Sequence, residues 1–311
     1  MKKKIRNFIL ENVIFREIYF FLYGKKVYKK IIDKKISSLD QHVFNEKKIL
    51  QDVIISLTSY GSRLSELHYT IYSLVNQTVR PEKILINLTS RDIKELPAAM
   101  YCFKQYGVEF VEVDDIKSYK KLIPILQKYP YKNIVTADDD LFYPKNWLEE
   151  LWKAHIQNPT DIVCHITRKI EFENKKIKPY KNWSYNKVEK KPSFSNLILS
   201  GAGAWFPPHS LYKDVCNSDI FMQLSPTADD IWDYFMAILK GTKILQIQNS
   251  CSNLKYTNPY REYGICKGEK LGTINIDEGY NDKQFKAILE YYNISEEKYI
   301  SYISGVTTTL I

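Results

Sequence analysis

Asn133-Ile134-Val135-Thr136-Ala137-Asp138-Asp139-Asp140-Leu141-Phe142-Tyr143-Pro144 sets a short run of strand-forming residues directly against three consecutive carboxylates. Read as a strand, Asn133 to Ala137 places those acids at its carboxyl end, where open α/β sheets bind their ligands. Three adjacent carboxylates repel one another, and a bound cation relieves the repulsion. Hard oxygen ligands at this density favour Mg²⁺ or Mn²⁺, particularly where a ligand's phosphates complete the shell. Asp also caps helices well, so an acidic turn before a helix starting near Pro144 explains part of the pattern. A triple Asp is more than capping needs.

Outward from this point, short apolar runs alternate with helical periodicity. Val53 to Thr58, Ile84 to Leu88, Val108 to Val113, Asp161 to Cys164 and Lys243 to Ile247 read as further strands. Leu64 to Val75, Leu122 to Gln127, Trp147 to His155 and Asp282 to Tyr292 read as helices. Alternation at this spacing implies parallel crossovers and a doubly wound, mostly parallel α/β sheet. The Lys- and Asn-rich stretch from Lys169 to Lys191 lacks periodicity and reads as an insertion or mobile loop.

Three other stretches carry candidate chemistry. Ser225-Pro226-Thr227-Ala228-Asp229-Asp230 opens an apolar helix and is a good N-terminal cap. A carboxylate there is stabilised in its ionised form by the helix dipole, which is the state a general base requires. Leu199-Ser200-Gly201-Ala202-Gly203-Ala204-Trp205 has two glycines that permit close backbone approach. Its Trp205 offers a flat face for a sugar ring, or else fills the core behind a tight turn. Ser56-Leu57-Thr58-Ser59-Tyr60-Gly61-Ser62-Arg63 runs from a strand into a helix start, where amides, hydroxyls and Arg63 are suited to a nucleotide. No Walker-type G-x-x-x-x-G-K-[ST] occurs. Lys117, Lys120 and Lys121 are placed either to face a diphosphate or simply to be solvated.

The chain has 311 residues, 44% hydrophobic and 26% charged, with a formal net charge of +9. Residues 1–48 hold 13 Lys/Arg against 5 Asp/Glu, so nearly all the excess charge belongs to this arm and the body is close to neutral. That distribution excludes a generally basic nucleic-acid-binding domain. Ile5, Phe8, Ile9, Phe15, Tyr19 and Leu22 recur at helical spacing among lysines, fitting a helix that lies on an anionic membrane or packs on the domain. Glu11, Arg16 and Glu17 interrupt the apolar run, against a signal peptide or spanning helix. The five cysteines and five histidines show neither disulfide-framework nor zinc spacing, and a cytoplasmic setting is expected.

Together these stretches resemble nucleotide-sugar glycosyltransferases of the GT-A fold, especially the family-2-type bacterial enzymes of capsule, O-antigen or lipooligosaccharide synthesis. The resemblance spans roughly Asp52 to Ile288. It implies a Rossmann-like nucleotide-binding half plus an acceptor-binding half over residues 49–248, with 249–311 completing the domain. Thr58, Ser59, Tyr60, Arg63, Lys120, Lys121, Asp138 and Asp139 would then bind the nucleotide-sugar. Asp138 and Asp140 would hold Mn²⁺ or Mg²⁺, as a DXD motif does. Gly201, Gly203 and Trp205 would line the acceptor side, and Asp229-Asp230 would stand for a Glu-Asp pair with Asp230 as base. The implied reaction inverts a sugar from a donor such as UDP-hexose onto a saccharide or lipid-linked acceptor, at the inner face of the plasma membrane. Asn275 and Gly279 to Phe285 are similar to a C-terminal motif of capsule-type relatives, which carries no assigned role. A nucleotidyltransferase is the nearest alternative, but the loop after the first strand has one glycine and one arginine where a triphosphate grip needs more. A third possibility is an inactive, membrane-recruited scaffold with this fold.

Overall fold

The structure, a computed structural model, describes residues 33–188, 191–248, 254–258 and 273–311. Of the expected amphipathic arm, residues 1–48, the first 32 lie outside the described residues. Helix α1 (Gln41–Glu46) follows, capped by the Asp40 carboxylate and anchored by Phe44, whose ring meets Tyr106 edge-on at 5.3 Å.

Val53-Ile54-Ile55-Ser56-Leu57 is a continuous buried run because both faces of its strand are covered. This strand, β1 (Ile49–Thr58), is followed by α2 (Leu67–Val75), β2 (Arg80–Leu88), α3 (Ser90–Lys94) and β3 (Val108–Glu112). Next come α4 (Ile123–Lys128), β4 (Asn133–Thr136), β5 (Leu141–Phe142), α5 (Trp147–Gln157) and β6 (Ile162–Cys164). After β7 (Thr167–Lys169), the stretch expected to be an insertion or mobile loop instead forms a small hairpin of β8 (Phe172–Glu173) and β9 (Lys176–Ile177), and β10 (Ser184–Tyr185). Pieces two or three residues long are too short to show alternation. β7 pairs antiparallel with both β10 and β11 (Asn196–Ile198).

After β12 (Ala204–Phe206) come α6 (Ser218–Leu224), α7 (Asp229–Lys240), β13 (Ile244–Gln246) and β14 (Lys255–Tyr256). The chain closes with α8 (Tyr280–Tyr291) and α9 (Glu296–Ile303), two helices where one was expected. The main sheet has seven strands in the order β13-β6-β12-β4-β1-β2-β3. All neighbours are parallel except β12, which runs antiparallel between β4 and β6. The architecture is α/β and mostly parallel, as the alternation implies.

Successive side chains on a strand point to opposite faces, and this pleat divides the core in two. Ile54, Ile134, Ile162 and Phe206 pack with Trp232 and Phe235 of α7, Phe285 of α8 and Tyr299 of α9. Ile55, Val135, Val163 and Trp205 pack on the other face with Ile71 and Leu74 of α2 and Trp147 and Leu151 of α5. Trp205 is only 1% exposed, its Nε1 donating to Asn133 Oδ1 at 3.0 Å and its rings stacked on His155. It has no face open to a sugar, so the acceptor-stacking expectation for Trp205 is corrected in favour of the core reading. No helix of the described residues is long and apolar enough to cross a membrane.

Candidate active site

Strand β4 ends at Thr136, and Ala137 carries the chain to Asp138, Asp139 and Asp140 at the carboxyl edge of the sheet. The neighbouring β1 ends at Thr58, whose hydroxyl donates to the Asn87 carbonyl at 2.7 Å. Ser59 then donates its hydroxyl to Asp139 Oδ2 at 2.5 Å. A 3₁₀ turn over Gly61–Ser65 swings Arg63 back across the strand ends. Its Nη2 pairs with Asp139 and, at 2.7 Å, with Asp140 Oδ2. The guanidinium also lies near the exposed Tyr60 ring. Burial, opposed by Arg63 and reinforced by Asp140, pushes the Asp139 pKa up to about 7. Asp92, which the sequence did not single out, fixes the turn by accepting from the Gly61 amide at 3.0 Å.

The second acid pair reaches the same place. Asp229 and Asp230 form the first turn of α7, which is buried along nearly its whole length and ends at Gly241 in the left-handed region. Lys121, itself buried, lies between the two sets of acids. Its Nζ is 3.2 Å from Asp138 Oδ1 and 3.0 Å from Asp229 Oδ2. Burial works against its charge, but the Asp138, Asp229 and Asp230 carboxylates outweigh burial and hold the amine protonated. Lys120 pairs with Asp115 at 3.1 Å and so engages none of these acids.

Asp230 is held from the other side. The amide and hydroxyl of Ser200 donate to its Oδ1 at 2.9 and 2.5 Å. Burial first, and then the Asp229 charge, push its pKa up to about 6; Lys121 and the Ser200 bonds pull it down. Asp233, one turn further along α7, is 1% exposed and neither carboxyl oxygen has a hydrogen-bond partner among the described residues. Burial and the two neighbouring carboxylates drive its pKa well above the usual carboxylate range, favouring the protonated form.

The glycine loop closes the ring of contacts. Tyr143 accepts from the Asp138 amide at 2.7 Å and donates to the Gly201 carbonyl at 2.7 Å, tying loop to acid motif. A Cβ at position 201 would overlap the Asp138 carboxylate. At position 203 it would overlap the Trp147 indole, whose Nε1 donates to the Ala202 carbonyl at 2.9 Å. Tyr143 and Ser200 went unrecognised in the sequence because a lone hydroxyl carries no pattern. The C-terminal motif acquires a position too. Thr227, two residues before Asp229, donates to Asn275 Oδ1 at 2.7 Å, and its amide donates to Gln284 Oε1 at 2.9 Å. Asn275 Nδ2 returns a bond to the Thr227 carbonyl at 2.7 Å. Asn275 and Gln284 thereby hold the segment that presents the second acid pair.

A divalent ion suits part of this cluster. Among the described residues, five carboxylates (Asp138, Asp139, Asp140, Asp229 and Asp230) face two side-chain cations, Arg63 and Lys121, so these groups are net negative when ionised. Among the described residues, no three Asp, Glu, His or Cys side chains converge as a self-sufficient metal site. Asp138, its side chain 41% exposed, and Asp140 are therefore suited to hold an ion only jointly with a ligand's phosphates and water.

Acids at the end of a central strand of a mostly parallel sheet, met by a second acid pair from a helix start, describe a GT-A-type α/β protein. The glycosyl transferase family 2 profile matches residues 52–209, just over half of the chain, from β1 past β12. This chain belongs to that family. Asp229 and Asp230 lie beyond the matched span. Among solved structures, a CMP:2-keto-3-deoxy-manno-octonic acid synthetase complexed with CTP is similar over 65% of this chain and 89% of that one, at 11% identity and a TM-score of 0.38. That likeness is too distant to carry an argument. No curated protein matches the chain.

The two glycines should respond differently to a methyl group. Gly203 has φ +116° and faces a packed indole, so Gly203→Ala combines backbone strain with overpacking and should cost roughly 2–5 kcal/mol. Gly201→Ala meets a half-exposed carboxylate that can swing aside, and should cost about 1 kcal/mol or less. Urea unfolding of both variants checks the order; equal losses would contradict it.

Proposed function

We propose that this family 2 glycosyltransferase moves a sugar from a nucleotide-diphospho donor, most simply a UDP-hexose, to a saccharide or lipid-linked acceptor with inversion. The observation that carries the reading is the single cluster formed by Asp138, Lys121, Asp229, Asp230 and Ser200, which joins a donor-type acid motif to a base-type acid pair. Thr58, Ser59, Tyr60 and Arg63, on the turn after β1, stand beside Asp138 and Asp139 on the donor side. The net negative cluster would repel a diphosphate, which supports a further cation; Mn²⁺ or Mg²⁺ at Asp138 and Asp140 would offset the charge developing on the leaving group.

Asp230 suits the base role better than Asp229. Asp229 is engaged by Lys121, whereas Asp230 has one oxygen fixed by Ser200 and, among the described residues, no hydrogen bond at the other, which can receive a proton. The helix start favours its ionised form. In the proposed step the acceptor hydroxyl gives its proton to Asp230 as its oxygen attacks the anomeric carbon. The bond from that carbon to the diphosphate oxygen breaks, and the nucleotide leaves with the electron pair. A single displacement of this kind converts an α-linked donor into a β-linked product. The charge of the arm supports attachment to an anionic membrane surface, and with it a role in bacterial surface polysaccharide synthesis.

UDP titrated calorimetrically with and without Mn²⁺ tests the donor side: metal-dependent binding is expected, and its absence would overturn the metal assignment. Product assays separate the enzymatic rival, because a nucleotidyltransferase consumes a nucleoside triphosphate and releases pyrophosphate. Asp230→Asn should lower kcat by about 10²–10⁴-fold with UDP binding retained. A base must be ionised to work, so activity should fall as pH drops through about 6. A profile flat from pH 5 to 7.5, or a larger loss in Asp229→Asn, would remove Asp230 from this role. Deleting residues 1–35 should release the protein from anionic vesicles, and added salt should do the same to the full chain because screening shortens the reach of its charges. Undiminished binding of the shortened protein would assign the arm a structural role.

A further inference from the structure

The small sheet in the Lys- and Asn-rich stretch places an arginine where the proposed function gives it no task. Arg168 is the middle residue of β7, directly opposite Tyr185 on β10 and Leu197 on β11, so the three share one face. β11 leads within two residues to Ser200, the residue that holds Asp230. The guanidinium lies 4.8 Å from the centre of the Tyr180 ring and 5.5 Å from that of Tyr185. Its Nη1 donates to the Trp183 carbonyl at 3.3 Å. The guanidinium also hydrogen-bonds the Tyr180 hydroxyl, and among the described residues no carboxylate pairs with it. Tyr180 is buried and its phenol feels both charges, Asp230 raising its pKa and Arg168 lowering it, after the larger effect of burial. Tyr185, by contrast, is 58% exposed.

Arg168 is half-buried, and among the described residues no carboxylate answers its charge. Its planar donors match the geometry of a carboxylate or phosphate, and the exposed Tyr185 ring beside it is a stacking platform for a sugar. We propose that Arg168 and Tyr185 form an acceptor subsite that selects a sugar bearing an anionic group, carboxylate or phosphate, close to the hydroxyl that is glycosylated. This rests on the glycosyltransferase reading and adds the class of acceptor to it. Arg168 binds and orients; it takes no part in proton transfer.

Binding of methyl β-glucuronide, glucose 6-phosphate and neutral methyl β-glucoside to the full chain tests it, each titrated without nucleotide and again with saturating UDP. UDP occupies the donor side, so binding that persists with UDP belongs elsewhere. At least one anionic sugar is expected to bind tenfold or more tightly than the glucoside under both conditions. The carboxylate and phosphate arms tell which anion is preferred. Arg168→Gln should abolish the preference, Arg168→Lys should retain part of it, and neither should alter UDP affinity. Tyr185→Ala should weaken all three sugars. Equal binding of glucoside and anionic sugars, or a preference unchanged in Arg168→Gln, would overturn the proposal. Failure of the wild type to bind UDP would instead count against the glycosyltransferase reading, since the sugar titrations without nucleotide are read independently.

Discussion

One buried ammonium joins the two halves of the site. Lys121 bonds to Asp138 beyond β4 and to Asp229 at the start of α7, elements far apart in the chain. Taking an amine and its partners out of water costs several kcal/mol per ion, and attraction offsets it only when geometry and partners are good. Here one cation answers two carboxylates, and Arg63 does the same for Asp139 and Asp140. Each pairing crosses between elements, so the separation of the acids is set by side chains as well as by packing. Removing Lys121 would leave Asp229 buried beside Asp230 and Asp233 without the ammonium that moderates them.

That constraint explains the glycine loop. With Asp138 drawn toward Lys121, its carboxylate occupies the space a side chain at 201 would need. A residue without Cβ lets the loop pass this close while the Asp138 carboxylate keeps its place beside Lys121, and the same loop then delivers Ser200 to Asp230. Tyr143 spans the remaining gap from below, bonded to both the acid motif and the loop. The loop is thus shaped by the acids on either side of it and need not contact a ligand to matter.

The parts that were legible in the sequence share a physical cause. A parallel strand covered on both faces must be apolar throughout, so β1 and β4 stand out, and the first polar residues after them mark the sheet edge. Asp138 to Asp140 were visible for that reason, and Asp229-Asp230 because a helix start has its own signature. What depends on the third dimension was not. Trp205 looks the same in sequence whether it stacks on a sugar or fills a core, and only the antiparallel insertion of β12 between β4 and β6 decides it. Lys121 reads as one more surface lysine in a lysine-rich segment. Asn275 and Gln284 were noticed as a pattern, yet their task is bonding to Thr227, and no local spacing encodes that. The two- and three-residue strands around Arg168 fall below the length at which alternation can be counted.

The first turns of α7 carry this logic furthest. Asp229, Asp230 and Asp233 sit on one helix within five residues, and each meets a different environment. Asp229 faces an ammonium. Asp233 faces apolar surroundings and two negative neighbours, which favours its neutral form. Asp230 lies between these extremes: burial and Asp229 raise its pKa, and the Ser200 donors and Lys121 restrain the rise. Neighbouring carboxyls pushed toward different protonation states are how one fold assigns different tasks to like groups. If Asp233 were ionised it would add a third negative charge beside Asp230 and push that pKa higher still, beyond what a base working near neutral pH can use. Burial that favours a protonated Asp233 therefore spares Asp230, the proposed base, a third negative neighbour, and the apolar packing around α7 bears on that carboxylate as well as on the stability of the fold.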